Sequence, residues 1–138
     1  FKGKVDGIAS VYDDYAHHPT EIKATYNSLS NKKYNKSWVI FQPHTYSRTK
    51  LLLNDFAEAL KEFDHIIVLD IYAAREVNNH EISSKDLVNK IKSLGKEALY
   101  IPDFDECVDY VKKNVEKNDI VITVGAGTVT EIGPMLVK

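Results

Sequence analysis

Three short runs, W-V-I-F (38–41), I-I-V-L-D-I (66–71) and I-V-I-T-V (120–124), are almost continuously apolar. They are too unbroken for strands with one wet face and too short for buried helices, which leaves strands covered on both sides. The stretches between them carry apolar residues at helical spacing: Leu52, Phe56, Leu60 and Phe63; Leu87, Ile91 and Leu94; Cys107 or Val108 with Val111 and Val115. Ile22, Tyr26 and Leu29 repeat the stripe near the start of the chain. Weaker strand signals lie at 98–101 and at 5–11, the latter interrupted by Gly7 as if by a bend or a sheet edge. Strands alternating with helices of this length make βαβ units with right-handed crossovers. The expectation is one Rossmann-like, three-layer α/β sandwich over residues 1–138. Its sheet should be mostly parallel, of five or six strands, with helices on both faces.

Local signals mark where the helices begin. Pro19 suits a first helical position, where a missing N–H costs nothing. Ser47 reads as the N-cap of the segment carrying Leu52 and Phe56. Ser83 with Asp86, and Asp103 with Glu106, open the next two helices, and Gly95 stops the first of them. Asp119 leads into the clearest strand, and G-A-G (125–127) turns from it into a last helix toward Leu136.

In an open α/β sheet, ligands bind beyond the carboxyl ends of the strands. The segments that leave those ends here are D-D-Y-A-H-H, P-H-T-Y-S-R, Y-A-A-R-E, P-D and G-A-G-T, whereas the opposite connections are plain. The polar connection at 72–82 is the longest of these. Titratable groups therefore gather on one edge of the sheet, and that edge is the candidate site. Consecutive residues leaving a strand point apart, so only one of Asp13 and Asp14 should face the crevice. His17, His18 and His44 match no ligand spacing of a closed metal site, and no metal is assigned to them. Arg48, in the first turn of a helix opening at Ser47, would meet an anion together with free backbone N–H groups; pairing with a surface Asp is the alternative. G-A-G lacks the third glycine of a dinucleotide fingerprint, Thr130 standing in its place. It is read as a tight turn that lets backbone approach a ligand. No phosphate-binding loop occurs, and Gly3-Lys4-Val5 is not one.

Composition narrows the class. The 138 residues carry a formal charge of −2, with 43% hydrophobic and 28% charged residues, which argues against an electrostatic nucleic-acid binder. No apolar run reaches the ~20 residues of a membrane span, and no signal-like segment opens the chain. The single Cys107 can form no internal disulfide and reads as a buried thiol in a reducing, cytoplasmic setting. Opening on Phe1 without a Met, the chain reads as a piece of a longer protein.

D-D-Y-A-H-H-P-T-E-I (13–22), F-Q-P-H-T-Y-S-R-T-K (41–50), D-I-Y-A-A-R-E (70–76) and V-G-A-G-T (124–128), in this order and spacing, resemble the C-terminal domain of the Mur ligases of bacterial cell-wall synthesis. The second motif points to the alanine-adding branch of that family. The resemblance covers essentially the whole chain. It implies an ATP-dependent ligase of peptidoglycan synthesis, active in cell shape and division. Such an enzyme joins UDP-N-acetylmuramate to L-alanine through an acyl phosphate and a tetrahedral intermediate. It also implies two further domains, one holding the phosphate loop and Mg²⁺ and one holding UDP, without which this domain is inert. By similarity, Asp14 takes the ribose of ATP. Tyr15, His17, His44 and Arg48 face the muramyl carboxylate, the amino acid and the developing anion, with His17, His44 and Arg48 in the catalytic role. Some members carry Arg after the His of the second motif; Thr45 stands there in this chain, so more of the positive charge falls to Arg48. Three alternatives stay open: the related ligase that recycles murein tripeptide, a nucleotide-binding module without an enzyme, and a small hydrolase using His17 or His44 as base. The last lacks a G-x-S-x-G elbow.

Overall fold

The computed structural model describes residues 1–78 and 81–138. Asn79 and His80, within the connection at 72–82, lie outside the described residues. Six strands, β1 (Gly3–Val5), β2 (Ala9–Asp14), β3 (Ser37–Phe41), β4 (His65–Val68), β5 (Leu99–Tyr100) and β6 (Ile120–Val124), form one sheet in the order β1-β2-β6-β3-β4-β5. Every pairing is parallel except the antiparallel β1–β2 edge. The expected fold class is therefore present, with six strands.

The strands alternate their side chains between two cores. Val39, Phe41, Ile66, Val68, Ile122 and Val124 pack under α1 (Pro19–Asn27), α3 (Leu53–Leu60) and α4 (Ser84–Ser93). Trp38, Ile40, Ile67 and Val121 pack under α5 (Phe104–Asn114) and α6 (Ile132–Val137). This alternation with both faces buried is why the runs read as continuous apolar blocks. Cys107 is fully buried in the second core, and burial pushes its thiol up to about 12. No helix among the described residues is long and apolar enough to cross a membrane.

Three expectations are refined or corrected. The interruption at Gly7 marks a sheet edge, as one of its two readings had it, and is a hairpin turn between two strands rather than a bend within one, with Asp6 at φ 47° and Gly7 at φ 73° and the Ile8 N–H bonded to Val5 O at 2.9 Å. Both central residues are left-handed, the geometry that matches strand twist and favours Asp-Gly. The helix after β3 is broken at Leu52 (φ −109°, ψ 21°) into α2 (Tyr46–Leu51) and α3, although Phe56 and Leu60 are buried as expected. Its N-cap is Thr45, not Ser47, whose hydroxyl is engaged elsewhere.

The chain leaves β2 and β3 toward the α1/α3 face and leaves β6, which lies between them, toward the α6 face. The opposite routing opens a crevice at the carboxyl edge. At the other edge, the buried Asp119 carboxylate accepts from Asn35 Nδ2 (2.9 Å), Lys36 N (3.0 Å), Trp38 Nε1 (2.9 Å) and Glu116 N (2.9 Å), tying β3 to β6.

Candidate functional site

The two aspartates part as strand geometry requires. Asp13, level with β6, accepts from Thr123 Oγ1 and Thr130 Oγ1, each at 2.7 Å. Asp14 turns toward α1, accepting from Ala16 N at 2.9 Å and from Thr25 Oγ1 at 2.6 Å. Thr25 is buried, so it fixes the carboxylate from inside the fold. A carboxylate has acceptor capacity for about four hydrogen bonds, so each Asp14 oxygen keeps room for a ligand hydroxyl. Asp14, Tyr15, His17, Glu21, Thr25 and Ser28 line a hollow of about 440 Å³. Tyr15 is 68% exposed over it.

Helix α1 is capped by His18 rather than Asp14. Its ring accepts from Thr20 N at 3.2 Å, and Glu21 closes the reciprocal bond to the His18 N–H at 3.1 Å. Pro19 takes the first helical position, as expected. The His17 N–H, joined by that of His18, holds the Glu21 carboxyl below the usual carboxylate range. Two carboxylates in one hollow repel phosphate and suit hydroxyl or amine groups.

From the other side comes the segment after β3. The His44 ring lies 6.1 Å from that of His17 and 5.6 Å from that of Tyr72, between ring centroids. Its Nδ1 is buried, without a hydrogen-bond partner among the described residues. Burial, then Arg48, then His17 hold the imidazole below its ordinary value, with Glu76 opposing them, so His44 is neutral near pH 7. The Arg48 N–H donates to the Thr45 cap at 3.3 Å, and no described carboxylate forms an ion pair with its guanidinium. The surface-pair alternative thus has no partner among the described residues. No group of three or more described His, Cys, Asp or Glu side chains is arranged to hold a metal ion.

One expectation fails here. The backbone N–H groups at the start of α2 are not free for an anion, because Tyr46 N (2.5 Å), Ser47 N (3.1 Å) and the Ser47 hydroxyl all donate to Glu76. G-A-G is the tight turn expected after β6, and its close contacts are with the chain itself: a Cβ on Gly127 would lie 2.6 Å from both Gln42 Oε1 and Tyr72 Cγ. The buried Gln42 side chain donates to Thr128 Oγ1 (2.9 Å) and accepts from Val129 N (3.1 Å), locking that turn. Sequence reading missed Gln42, Thr25 and Glu76 as site-shaping residues. Each lay inside or beside a quoted motif, but only as one polar residue among many. A larger hollow of about 810 Å³, walled by Leu51, Val77 and Ile82, lies beyond Glu76 and holds none of the expected site residues.

Residues 1–127 match the Mur ligase, glutamate ligase domain. The chain is 52% identical over 137 residues to the UDP-N-acetylmuramate–L-alanine ligase of Lachnospira eligens, spanning 99% of this chain and 30% of that protein. It superposes on the crystal structure of the UDP-N-acetylmuramate-alanine ligase of Thermotoga maritima with a TM-score of 0.74 at 30% identity, covering 94% of this chain and 26% of that one. A domain from a proposed UDP-N-acetylmuramate:L-alanyl-gamma-D-glutamyl-meso-diaminopimelate ligase of Haemophilus ducreyi, solved by itself, has the same fold (TM-score 0.70, 23% identity, 99% of this chain and 94% of that one). The chain thus spans under a third of the length of such full-length relatives, and with this match over nearly all of its residues it belongs to the Mur ligase family.

Proposed function

We propose that this chain is the C-terminal domain of a three-domain UDP-N-acetylmuramate–L-alanine ligase, which forms an amide at the expense of ATP in peptidoglycan synthesis in the cytoplasm. The observation that carries the reading is the meeting of Asp14, Tyr15, His17, His44 and Arg48 at one sheet edge, in a sequence without a phosphate loop. Asp14, braced by Thr25, holds the ribose hydroxyls of ATP in the hollow over α1. His44 is neutral, so its other ring nitrogen, Nε2, can accept a hydrogen bond from the amine of L-alanine while the buried Nδ1 carries the proton. Arg48, a cation without an ion-pair partner among the described residues, faces the muramyl carboxylate and the charge that grows as the amine attacks its activated form. Tyr15 and His17 close the substrate side between them.

The missing domains supply the phosphate cradle, the uridine site and the ligands of Mg²⁺, whose chemistry is to neutralise the phosphates. The 138-residue chain by itself should bind ATP weakly and turn none over. The test is to express the full gene product and follow phosphate release with ATP, Mg²⁺, UDP-N-acetylmuramate and L-alanine. Release that requires both substrates is the expected result. Release indifferent to L-alanine, or a gene lacking a phosphate loop upstream of Phe1, overturns the reading.

A further inference from the structure

Between His44 and Arg48 the backbone does something costly. Thr45 sits at φ 63°, ψ 148°, a conformation close to glycine's own territory and hardest for a β-branched residue. Such a residue persists only where its surroundings over-determine it. Two sets of contacts do so here. The Thr45 N–H donates to Tyr72 O and the Tyr72 N–H to Pro43 O, each at 2.8 Å, a one-bridge extension of the sheet beyond its strands. Glu76 then closes the far end, taking the N–H groups of Tyr46 and Ser47 and the Ser47 hydroxyl on one carboxylate. Glu76 is itself anchored, its N–H donating to Ala73 O at 3.0 Å.

We propose that Glu76 is a positioning residue for the ligase reaction, a clamp that holds residues 44–48 in their strained path and so fixes His44 and Arg48 toward the substrate. The inference rests on the ligase reading above. Glu76 touches neither His17 nor Asp14 and acts through Tyr46 and Ser47. Its second action is electrostatic. His44 is faced by Arg48 from α2, by His17 from the connection after β2, by the Tyr72 ring and by Glu76, and of the described charged groups only Glu76 favours its protonated form.

Removing the clamp should cost turnover rather than nucleotide affinity, since Asp14 belongs to a different element. In the full-length enzyme, Glu76→Ala should lower kcat about 10²-fold, the scale of a small misplacement of catalytic groups, with KM for ATP within about twofold. Glu76→Gln keeps an acceptor for the two N–H groups but loses the charge. It should lose less turnover and shift the His44-dependent acid limb of kcat/KM to lower pH. A purely structural role would move the melting temperature and leave that limb in place.

Because the fold stands as an isolated domain in the Haemophilus ducreyi structure, the clamp can also be tested in the 138-residue chain. Amide exchange at Tyr46 and Ser47 should quicken in Glu76→Ala while β6 amides keep their protection, and the NMR titration midpoint of His44 should fall in Glu76→Gln. Parent-like kcat in a folded Glu76→Ala enzyme, or unchanged exchange at Tyr46 and Ser47, overturns the proposal. Quickened exchange beside a parent enzyme with no ligase activity would keep the clamp and sink the ligase reading instead.

Discussion

The imidazoles of His17 and His44 stand 6.1 Å apart although β6 separates the strands that carry them. The gap is bridged because both connections leave for the same face. This pairing bears on pH. His44 has a folded-state pKa below its unfolded one, so the unfolded chain takes the proton first as pH falls. Its contribution to stability is complete above the unfolded value and is lost as pH drops through the folded value. Between about pH 7 and pH 5, His44→Gln should flatten part of the fall in urea-unfolding free energy that the parent chain shows. NMR should place the His44 midpoint below that of an unperturbed histidine side chain; a midpoint at or above it removes the neutral-acceptor role.

Asp14 offers a second expectation. A ribose contact acts alike in ground and transition states, so its loss belongs in KM. In the full-length enzyme, Asp14→Ala should raise KM for ATP about 10- to 100-fold, the range of a hydrogen bond to a charged group, with a smaller loss in kcat. Thr25→Val deletes the 2.6 Å bond to Asp14 without changing shape much and should move KM in the same direction by less. Equal losses in kcat and kcat/KM for Asp14→Ala would make Asp14 catalytic.

Asp119 governs stability at the opposite edge. Its buried carboxylate takes four donors, one of them the Trp38 indole. Asp119→Ala strands that indole in the core, while the other three donors lie nearer water, for a loss of about 2–4 kcal/mol. The urea midpoint should fall at constant slope. A full-length Asp119→Ala enzyme assayed well below its melting point should keep its KM values, because no site residue leans on Asp119.

Much of this fold is legible in the sequence because its signals are local. Ser83 with Asp86 forms the expected capping box, and Asp103 caps onto Glu106 N at 3.1 Å as expected, since each partner lies three residues away. The edge where chemistry gathers is equally plain, because the titratable residues cluster just past the carboxyl ends of the strands. The hairpin has its own signal in Asp6-Gly7, but a lone glycine in a weak apolar run suits a bend within one strand just as well. Glu76 is harder to find. It reaches Tyr46 across 30 residues of chain, and nothing in periodicity tells which carboxylate of a polar connection will meet a helix start. Thr45 hides for a related reason: a β-branched residue gives no local sign of a positive φ, which here accompanies distant contacts with Tyr72 and Glu76 on either side of it.

Arg48 carries the sharpest prediction. It sits in the first turn of α2, half-buried, close enough to His44 to depress that group's proton affinity, and no described carboxylate neutralises it. A fixed cation that meets charge as it develops lowers the barrier rather than tightening ground-state binding. In the full-length enzyme, Arg48→Ala should therefore cost roughly 3–4 kcal/mol, about 10²–10³ in kcat/KM with kcat falling in step. Arg48→Lys should recover only part of this, because a point charge cannot reproduce a two-pronged grip on a carboxylate or phosphate. Glu76→Ala leaves the guanidinium in place but frees its backbone, so the double variant Arg48→Ala/Glu76→Ala should lose much less than the product of the single losses. Melting temperatures of the Arg48 variants should match the parent, since the head group packs in neither core. Steady-state kinetics on the four proteins settle the point: near-parent turnover by Arg48→Ala, or losses that simply multiply, would detach Arg48 from both the reaction and the clamp.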